Sequence, residues 1–185
     1  MASPAPRSTW RSTRFEPGGG LQREDAYFVA PQAMKLVNYE PHMHANGVRM
    51  CLQAIYGRAV ETLNCAGYDH NWVRQYEYED DYAPILPRGT ILHIIGYMDN
   101  TPNNKNIPDP RNWQGSGNRS IANMFIDLGQ IMPLSDAEFQ AEMAKRRERL
   151  GPNRPDVIVG CPLCNVIPPP TATAAPTAKP GGQQQ

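Results

Sequence analysis

The chain has 185 residues, enough for one domain with appendages, and its 19 prolines and 15 glycines favour a turn-rich β fold over a helical bundle. Its 18 basic and 18 acidic residues cancel, so the composition offers no concentrated positive charge for nucleic acid. The sequence contains no run of about 18–20 apolar residues, which excludes a membrane-spanning helix. No secretory signal peptide is visible at the N-terminus, so export would depend on a removed leader, a longer precursor or a partner.

Residues 1–25 are rich in Ser, Arg, Pro and Gly and are predicted to form an extended arm without a core of its own. Residues 26–132 show short apolar or alternating runs broken by turn residues, which is typical of an antiparallel β-sandwich or a jelly roll. Candidate strands lie at 33–41, 47–56, 59–66, 71–78, 90–98 and 121–128. The interval 99–110 has the Asn, Asp and Pro density of a long surface loop.

Residues 133–151 are predicted to form one surface helix. A capping box, Ser135-Asp-Ala-Glu138, begins it, and Gly151-Pro152 ends it. The basic run Lys145-Arg-Arg-Glu-Arg149 is interpreted as a solvated face. Residues 152–185 are rich in Cys and Pro and are predicted to be an extended tail without a packed core. We expect this tail and the arm to contact a protein partner or a larger complex.

The four cysteines form two pairs. Cys51 and Cys65 lie in strand-like runs on either side of the turn Tyr56-Gly-Arg58, where they can form a disulfide or remain a reduced pair in the core. Cys161 and Cys164 form a C-x-x-C motif, but the next residue is not the histidine that covalent haem attachment requires, which excludes haem. A local disulfide or an exposed dithiol is preferred to zinc for this second pair.

The segment Pro41-His-Met-His44 carries two histidines two positions apart at the end of a predicted strand. Residues i and i+2 of a strand point to the same face, so His42 and His44 can both reach one metal ion while Met43 points away. Such a spacing also arises by chance, and both imidazoles can instead form hydrogen bonds with loop carbonyls. The pair alone is a weak indication of a metal site.

The other two histidines have plainer interpretations. His93 lies within the apolar run Thr90-Ile-Leu-His-Ile-Ile95 and is predicted to be a hydrogen-bonded structural residue. His70, beside Asp69 and Trp72, is predicted to be a loop or strand-edge residue, with substitution for a metal ligand as the alternative. The acidic cluster at 77–81 is interpreted as a solvated loop, with a calcium site or partner-binding patch as the alternative.

An ordered series of motifs resembles the C-terminal domain of the copper type II, ascorbate-dependent monooxygenases, a family that includes peptidylglycine α-hydroxylating and dopamine β-monooxygenases and bacterial relatives. The series covers roughly residues 26–130. It consists of Pro41-His-Met-His44, Gly67-Tyr-Asp-His-Asn-Trp72, Leu86-Pro-Arg-Gly-Thr90, Tyr97-Met-Asp-Asn-Thr-Pro-Asn-Asn104, Asn106-Ile-Pro-Asp-Pro110 and Asn123-Met124.

The resemblance implies a jelly-roll fold, one copper ion and a ligand set of His42, His44 and Met124. In the family this copper activates dioxygen for hydrogen abstraction from substrate. Imidazole binds both oxidation states of copper, and the soft thioether favours Cu(I). Met124 has the alternative of being core filler. Together with the possible disulfides, the resemblance also implies a periplasmic or extracellular location.

The sequence departs from the family at several positions. The family usually has an aromatic residue where His70 stands and an acidic residue where Asn123 stands. Its second copper site, on an N-terminal domain, has no counterpart here, so the chain is not catalytically complete alone. The alternatives are a non-catalytic accessory subunit that docks on a larger exported, membrane-associated complex, possibly for electron transfer, and a copper carrier without turnover.

Overall fold

The computed structural model describes residues 18–112 and 115–150, which form an all-β, sandwich-like fold with one C-terminal helix. All pairings between the named strands are antiparallel. This confirms the predicted fold class. The elements are β1 (Gln22–Val29), β2 (Ala33–Leu36), β3 (Asn38–Tyr39), β4 (Pro41–Met43), β5 (Gly47–Tyr56), β6 (Ala59–Gly67), β7 (Tyr76–Glu77), β8 (Ile85–Leu86), β9 (Ile91–Met98), β10 (Phe125–Asp127), β11 (Ile131–Leu134) and α1 (Asp136–Leu150).

The first layer is a four-stranded sheet in the order β1-β9-β5-β6. β5 and β6 form a hairpin whose two-residue turn begins at Gly57, where φ is 55°, a conformation that glycine adopts without steric cost. The hairpin register sets Cys51 opposite Cys65, and the two cysteines form a disulfide. Of the two alternatives for this pair, the disulfide is therefore correct.

The second layer is built around residues 33–43, which run through β2, β3 and β4 with interruptions at Val37 and Glu40. This segment pairs with β8 and β7 from the middle of the chain and with β11 and β10 from its later part. Backbone hydrogen bonds continue at the interruptions, from Val37 N to Gln130 O (2.9 Å) and from Leu128 N to Glu40 O (3.0 Å). The single strand predicted at 33–41 is thus a kinked central strand.

The main hydrophobic core lies between the two layers. The second layer contributes Met34, Leu36, Tyr39 and Met43, and the first contributes Met50, Leu52, Ala54, Leu92 and Met98. The Tyr39 side chain is fully buried, and its hydroxyl donates a hydrogen bond of 2.8 Å to the carbonyl oxygen of Met50. Because a buried hydroxyl without a partner is costly, this bond helps to fix the relative position of the layers.

The helix α1 begins with the predicted capping box. The Ser135 amide donates to a Glu138 carboxylate oxygen (2.7 Å), and the Glu138 amide donates to the Ser135 hydroxyl (3.3 Å). The helix is more than a surface appendage, because Phe139 and Met143 are buried in a second cluster with Ala33, Ile85 and Leu134.

Charged side chains also hold α1 against the sheet. Arg146 is only 3% exposed and donates a hydrogen bond of 3.0 Å to the Asp80 carbonyl, so the solvated-face prediction is wrong at this residue. The carboxylate of Asp80 pairs with the buried Lys35, and Asp81 lies 2.7 Å from Arg149. The acidic cluster at 77–81 therefore contacts the helix rather than forming a purely solvated loop.

Two predicted domain boundaries fall inside strands. β1 begins at Gln22, within the predicted arm 1–25, and β11 ends at Leu134, beyond the predicted limit at 132. β1 alternates between exposed and partly buried positions, but its charged residues made the sequence resemble an arm. Most of the predicted arm (1–17), and residues 151–185 with Cys161 and Cys164, lie outside the described residues. In the described parts, no helix has the length and apolar character needed to cross a bilayer.

Candidate metal site

The pairing of β4 with β10 brings the predicted ligands together on one face. Met43 pairs with Phe125, and a backbone hydrogen bond of 3.3 Å from His44 N to Met124 O extends the pairing by one residue. Residues directly opposite each other on antiparallel strands project from the same face, as do residues i and i+2 of one strand. His42, His44 and Met124 therefore share one face of this strand pair.

The opposite face of the β4–β10 pair is anchored in the core. Met43 is fully buried and Phe125 is 7% exposed, and both belong to the main hydrophobic cluster. The face that carries the predicted ligands consequently points away from this core. His42 and Met124 on that face are partly exposed, whereas His44 is buried. An ion can therefore approach the predicted site from the surface, through the partly exposed His42 and Met124, while His44 is held in place by its buried surroundings.

A hydrogen bond fixes the tautomer of His44. Its Nδ1 lies 3.2 Å from the carbonyl oxygen of Ala122, and because a carbonyl can only accept, Nδ1 carries the hydrogen. This leaves Nε2 as the nitrogen with a free lone pair. Burial lowers the pKa of His44, the bond to Ala122 opposes that shift, and the nearby His42 and His70 add to it. A neutral imidazole is the form that binds metal.

The two histidines of the pair lie close together, with ring centroids 5.6 Å apart in an edge-to-face arrangement. The chain turns immediately after them, and the amide of Gly47 donates a hydrogen bond of 2.8 Å to the His44 carbonyl. A Cβ atom at position 47 would lie 2.4 Å from Met43 Cβ, closer than real Cβ contacts allow. Only glycine fits this tight return of the chain beneath the histidine pair.

A loop that follows β6 is tied to the same region. The Tyr68 hydroxyl donates a hydrogen bond to the Met43 carbonyl, between the two histidines. Asn104 donates from its side chain to the Ala45 carbonyl at 3.0 Å, directly after His44. Its own side-chain oxygen accepts from the Asn106 amide at 3.0 Å. These bonds hold two loops around the strand end that carries the histidines.

A cleft of about 290 Å³ opens beside the loop that follows β6. Its lining includes Tyr68, Asp69, Trp72 and Arg74, and the Arg74 guanidinium lies 5.5 Å from the centroid of the Trp72 ring. Trp72 is 66% exposed, so most of its side chain is open to solvent. The cleft offers aromatic and cationic contacts near the strand end that carries the histidine pair.

Within residues 18–112 and 115–150, no group of three or more His, Cys, Asp or Glu side chains is arranged to hold a metal ion. The predicted site has a different composition, with two imidazoles and one thioether, and this donor set suits copper because a soft sulfur ligand favours Cu(I). No model of a known protein family matches the chain, and no curated protein matches it. The family resemblance therefore stays a prediction, and the case for copper rests on the three side chains.

His93 is a structural residue, as predicted. It lies on the outer face of the first layer and is 6% exposed. Its Nε2 lies 2.6 Å from Asp25, its Nδ1 lies 3.0 Å from Gln53, and Tyr27 stacks on its ring at 4.3 Å between centroids. Both ring nitrogens are thus engaged by residues of the first layer. This histidine serves the sheet and not the candidate metal site.

Several residues that build the site were not predicted. Ala122 acts through its backbone carbonyl and Gly47 through its lack of a side chain, so neither has a chemical signature in the sequence. Asn104 lies in the predicted surface loop 99–110 and ends one motif of the family resemblance, but neither observation predicts a contact with the histidine pair. Its amide bonds both to Ala45 and to the Asp99 carbonyl (2.8 Å), which a run of Asn and Asp residues does not reveal.

Proposed function

We propose that this chain is a copper-binding domain that holds one ion through His42, His44 and Met124. The observation that carries the proposal is the shared face of the β4–β10 pair, where Met124 lies opposite His44 and His42 projects from the same side. The hydrogen bond between His44 and Ala122 supports it further, because it leaves Nε2 free to bind a metal.

Bound copper would supply one-electron redox chemistry and, where a coordination position stays open, a site for dioxygen. The protein's own contribution is to fix the ligands. Ala122 orients the buried imidazole, Gly47 allows the tight turn after the pair, and Tyr68 holds the backbone between the two histidines. The cleft lined by Tyr68, Trp72 and Arg74 would supply space for a substrate, and Tyr68 connects it to the backbone between the two histidines.

We further propose that the domain corresponds to the dioxygen-activating half of a two-copper monooxygenase. The chain contains four histidines, and His93 is engaged in the first layer, which leaves too few imidazoles for the family's second site. A separate domain or subunit would supply the second electron. The disulfide between Cys51 and Cys65 supports an oxidising location, such as the periplasm or the extracellular space.

Copper titration of the purified chain tests the proposal. We expect one Cu(I) per wild-type chain, loss of stoichiometric copper in His42→Ala and His44→Ala, and weaker binding in Met124→Ala. Met132→Ala is the matched control, because Met132 is 49% exposed on β11 of the same layer and should leave binding unchanged. A wild-type chain that retains no stoichiometric copper would refute the proposal.

A second candidate, an accessory subunit that docks on a larger complex, is favoured by the outer face of the first layer. Val29, Ile91, Ile55 and Val60 lie opposite one another across its four strands. Val29 and Val60 are 60% and 63% exposed. Exposed apolar rows of this kind are typical of contact surfaces. Charged substitutions at both valines should abolish co-purification with a partner from cell extracts while leaving copper binding intact.

A further inference from the structure

His70 lies in the loop between β6 and β7, and the residues beside it are tied to the candidate metal site. Tyr68 donates a hydrogen bond to the Met43 carbonyl, between His42 and His44. On the other side of His70, the Asn71 side chain donates to Asn106 at 3.1 Å. Asn106 is in turn bound to Asn104, which donates to Ala45 immediately after His44. Hydrogen bonds on both sides of His70 therefore hold this part of the loop close to the histidine pair.

The imidazole of His70 has an unsatisfied nitrogen. Its Nδ1 is buried from solvent and has no hydrogen-bond partner among the described residues. A buried polar atom without a partner is unfavourable, so such an atom marks a place where a ligand, ion or water is expected. The Nδ1 of His44 and both nitrogens of His93, by contrast, have oxygen partners.

Hydrogen bonds on both sides of His70 keep its backbone near the pair. Tyr68 reaches the Met43 carbonyl, and the chain of Asn71, Asn106 and Asn104 reaches the Ala45 carbonyl. His42, His44 and His70 do not form a ready three-histidine group in the described part of the chain. A bound ion would therefore have to draw the His70 side chain towards the pair.

We propose that His70 supplies a third imidazole to the copper site, so that the ion is held by three histidines and Met124. This inference rests on the proposed copper function and adds to it. A fourth protein ligand occupies the position that would otherwise receive a small molecule. The ligand set then favours holding Cu(I), and dioxygen would have to displace one of the four ligands before it could be activated.

X-ray absorption and Cu(I) competition with a chromophoric chelator test the inference on the full chain. The variants are His70→Phe, which keeps an aromatic ring, and His70→Gln, which keeps a polar side chain. We expect both to retain one Cu(I) per chain, to lose one nitrogen ligand from the absorption spectrum, and to bind Cu(I) about 10–100-fold more weakly. His93→Gln is the control and should keep the wild-type ligand number.

The outcomes separate the two proposals. If wild type and both His70 variants show the same ligand number and the same affinity, the role of His70 is overturned while the copper function stands. A wild-type chain without copper overturns both. Thermal unfolding without metal shows whether each His70 variant is folded. If only one of the two is folded, that variant alone is compared with the wild type. If both unfold, a wild-type absorption spectrum with only two nitrogen ligands overturns the inference.

Discussion

The Nδ1 atom of His44 lies 3.2 Å from the carbonyl oxygen of Ala122, 78 positions further along the chain. The bond decides which nitrogen of a predicted ligand faces a metal. We expect the metal-free protein to contain His44 as the Nδ1–H tautomer, because the carbonyl can only accept. Long-range ¹H–¹⁵N correlation spectra report this directly. Detection of the Nε2–H tautomer instead would show that the bond does not form in solution.

The turn at Gly47 gives a second prediction. In Gly47→Ala the new Cβ meets Met43 Cβ at 2.4 Å and Met43 Sδ at 2.9 Å, so the chain must shift beneath the histidine pair. We expect a loss of about 1–3 kcal/mol in the free energy of unfolding and weaker copper binding. Gly67→Ala is the matched control, since its Cβ would meet nothing within 4 Å. Equal stability of the two variants would contradict the prediction.

The disulfide between Cys51 and Cys65 should contribute to stability without touching the metal site. It closes a loop with a sequence separation of 14, for which the chain-entropy estimate is about 3 kcal/mol. We expect reduction, or the double variant Cys51→Ala/Cys65→Ala, to lower the free energy of unfolding in urea by up to this amount. A double variant with the unfolding free energy of the wild type would contradict the prediction. Copper stoichiometry should stay at the wild-type value.

Asp127 predicts a pH dependence of stability. Burial raises the pKa of its carboxyl, although backbone amides of Glu40 (3.0 Å) and Gly129 (2.9 Å) donate to Oδ1 and oppose the shift. A raised pKa in the folded state means that the protonated form favours folding. The resulting penalty appears as the pH rises through the carboxyl pKa of the unfolded chain and is complete above the raised, folded value.

Asp127→Asn removes this ionisation while keeping an oxygen that accepts the same bonds. We expect the variant to be more stable than wild type at pH 7, by an amount on the order of 1 kcal/mol, and equal to it in acid where Asp127 is protonated. Urea unfolding at both pH values measures the difference. Asp136→Asn, on a side chain that is 80% exposed, should show no such gain. A variant less stable than the wild type at pH 7 would count against a raised pKa for the Asp127 carboxyl.

The longer strands could be predicted because their patterns are local. β5 and β6 have alternating runs and a glycine turn between them, and the structure places them at Gly47–Tyr56 and Ala59–Gly67, close to the predicted ranges. β7 and β8 contain two residues each, too few to show a period of two. The strand predicted at 121–128 is longer than the observed β10, Phe125–Asp127. The limits of β10 are set by its pairing with β4 and not by a local pattern.

The candidate site was only partly predictable. The histidine pair can be seen in the sequence, whereas Met124 was named only because the family resemblance implies it. The strand geometry that aligns the three follows from the pairing of β4 with β10. The bond from His44 to the Ala122 carbonyl joins residues 78 positions apart, so no local pattern predicts it. Met43 and Gly47 are close in sequence, but their tight contact depends on the path of the backbone between them, which the residue types do not reveal. The buried position of Arg146 likewise follows from its contact with Asp80 and not from the basic run around it.

The kinked central strand at residues 33–43 has a consequence for the order of assembly. Its partners come from β7, β8, β10 and β11, all later in the chain. Contacts that span so much sequence form slowly, because long loops must close first. During synthesis the two histidines therefore emerge well before Met124, whose thioether is the third ligand of the proposed copper site. Copper offered to the nascent chain would find an incomplete site, which makes late metal loading, after the sandwich has closed, the productive sequence of events.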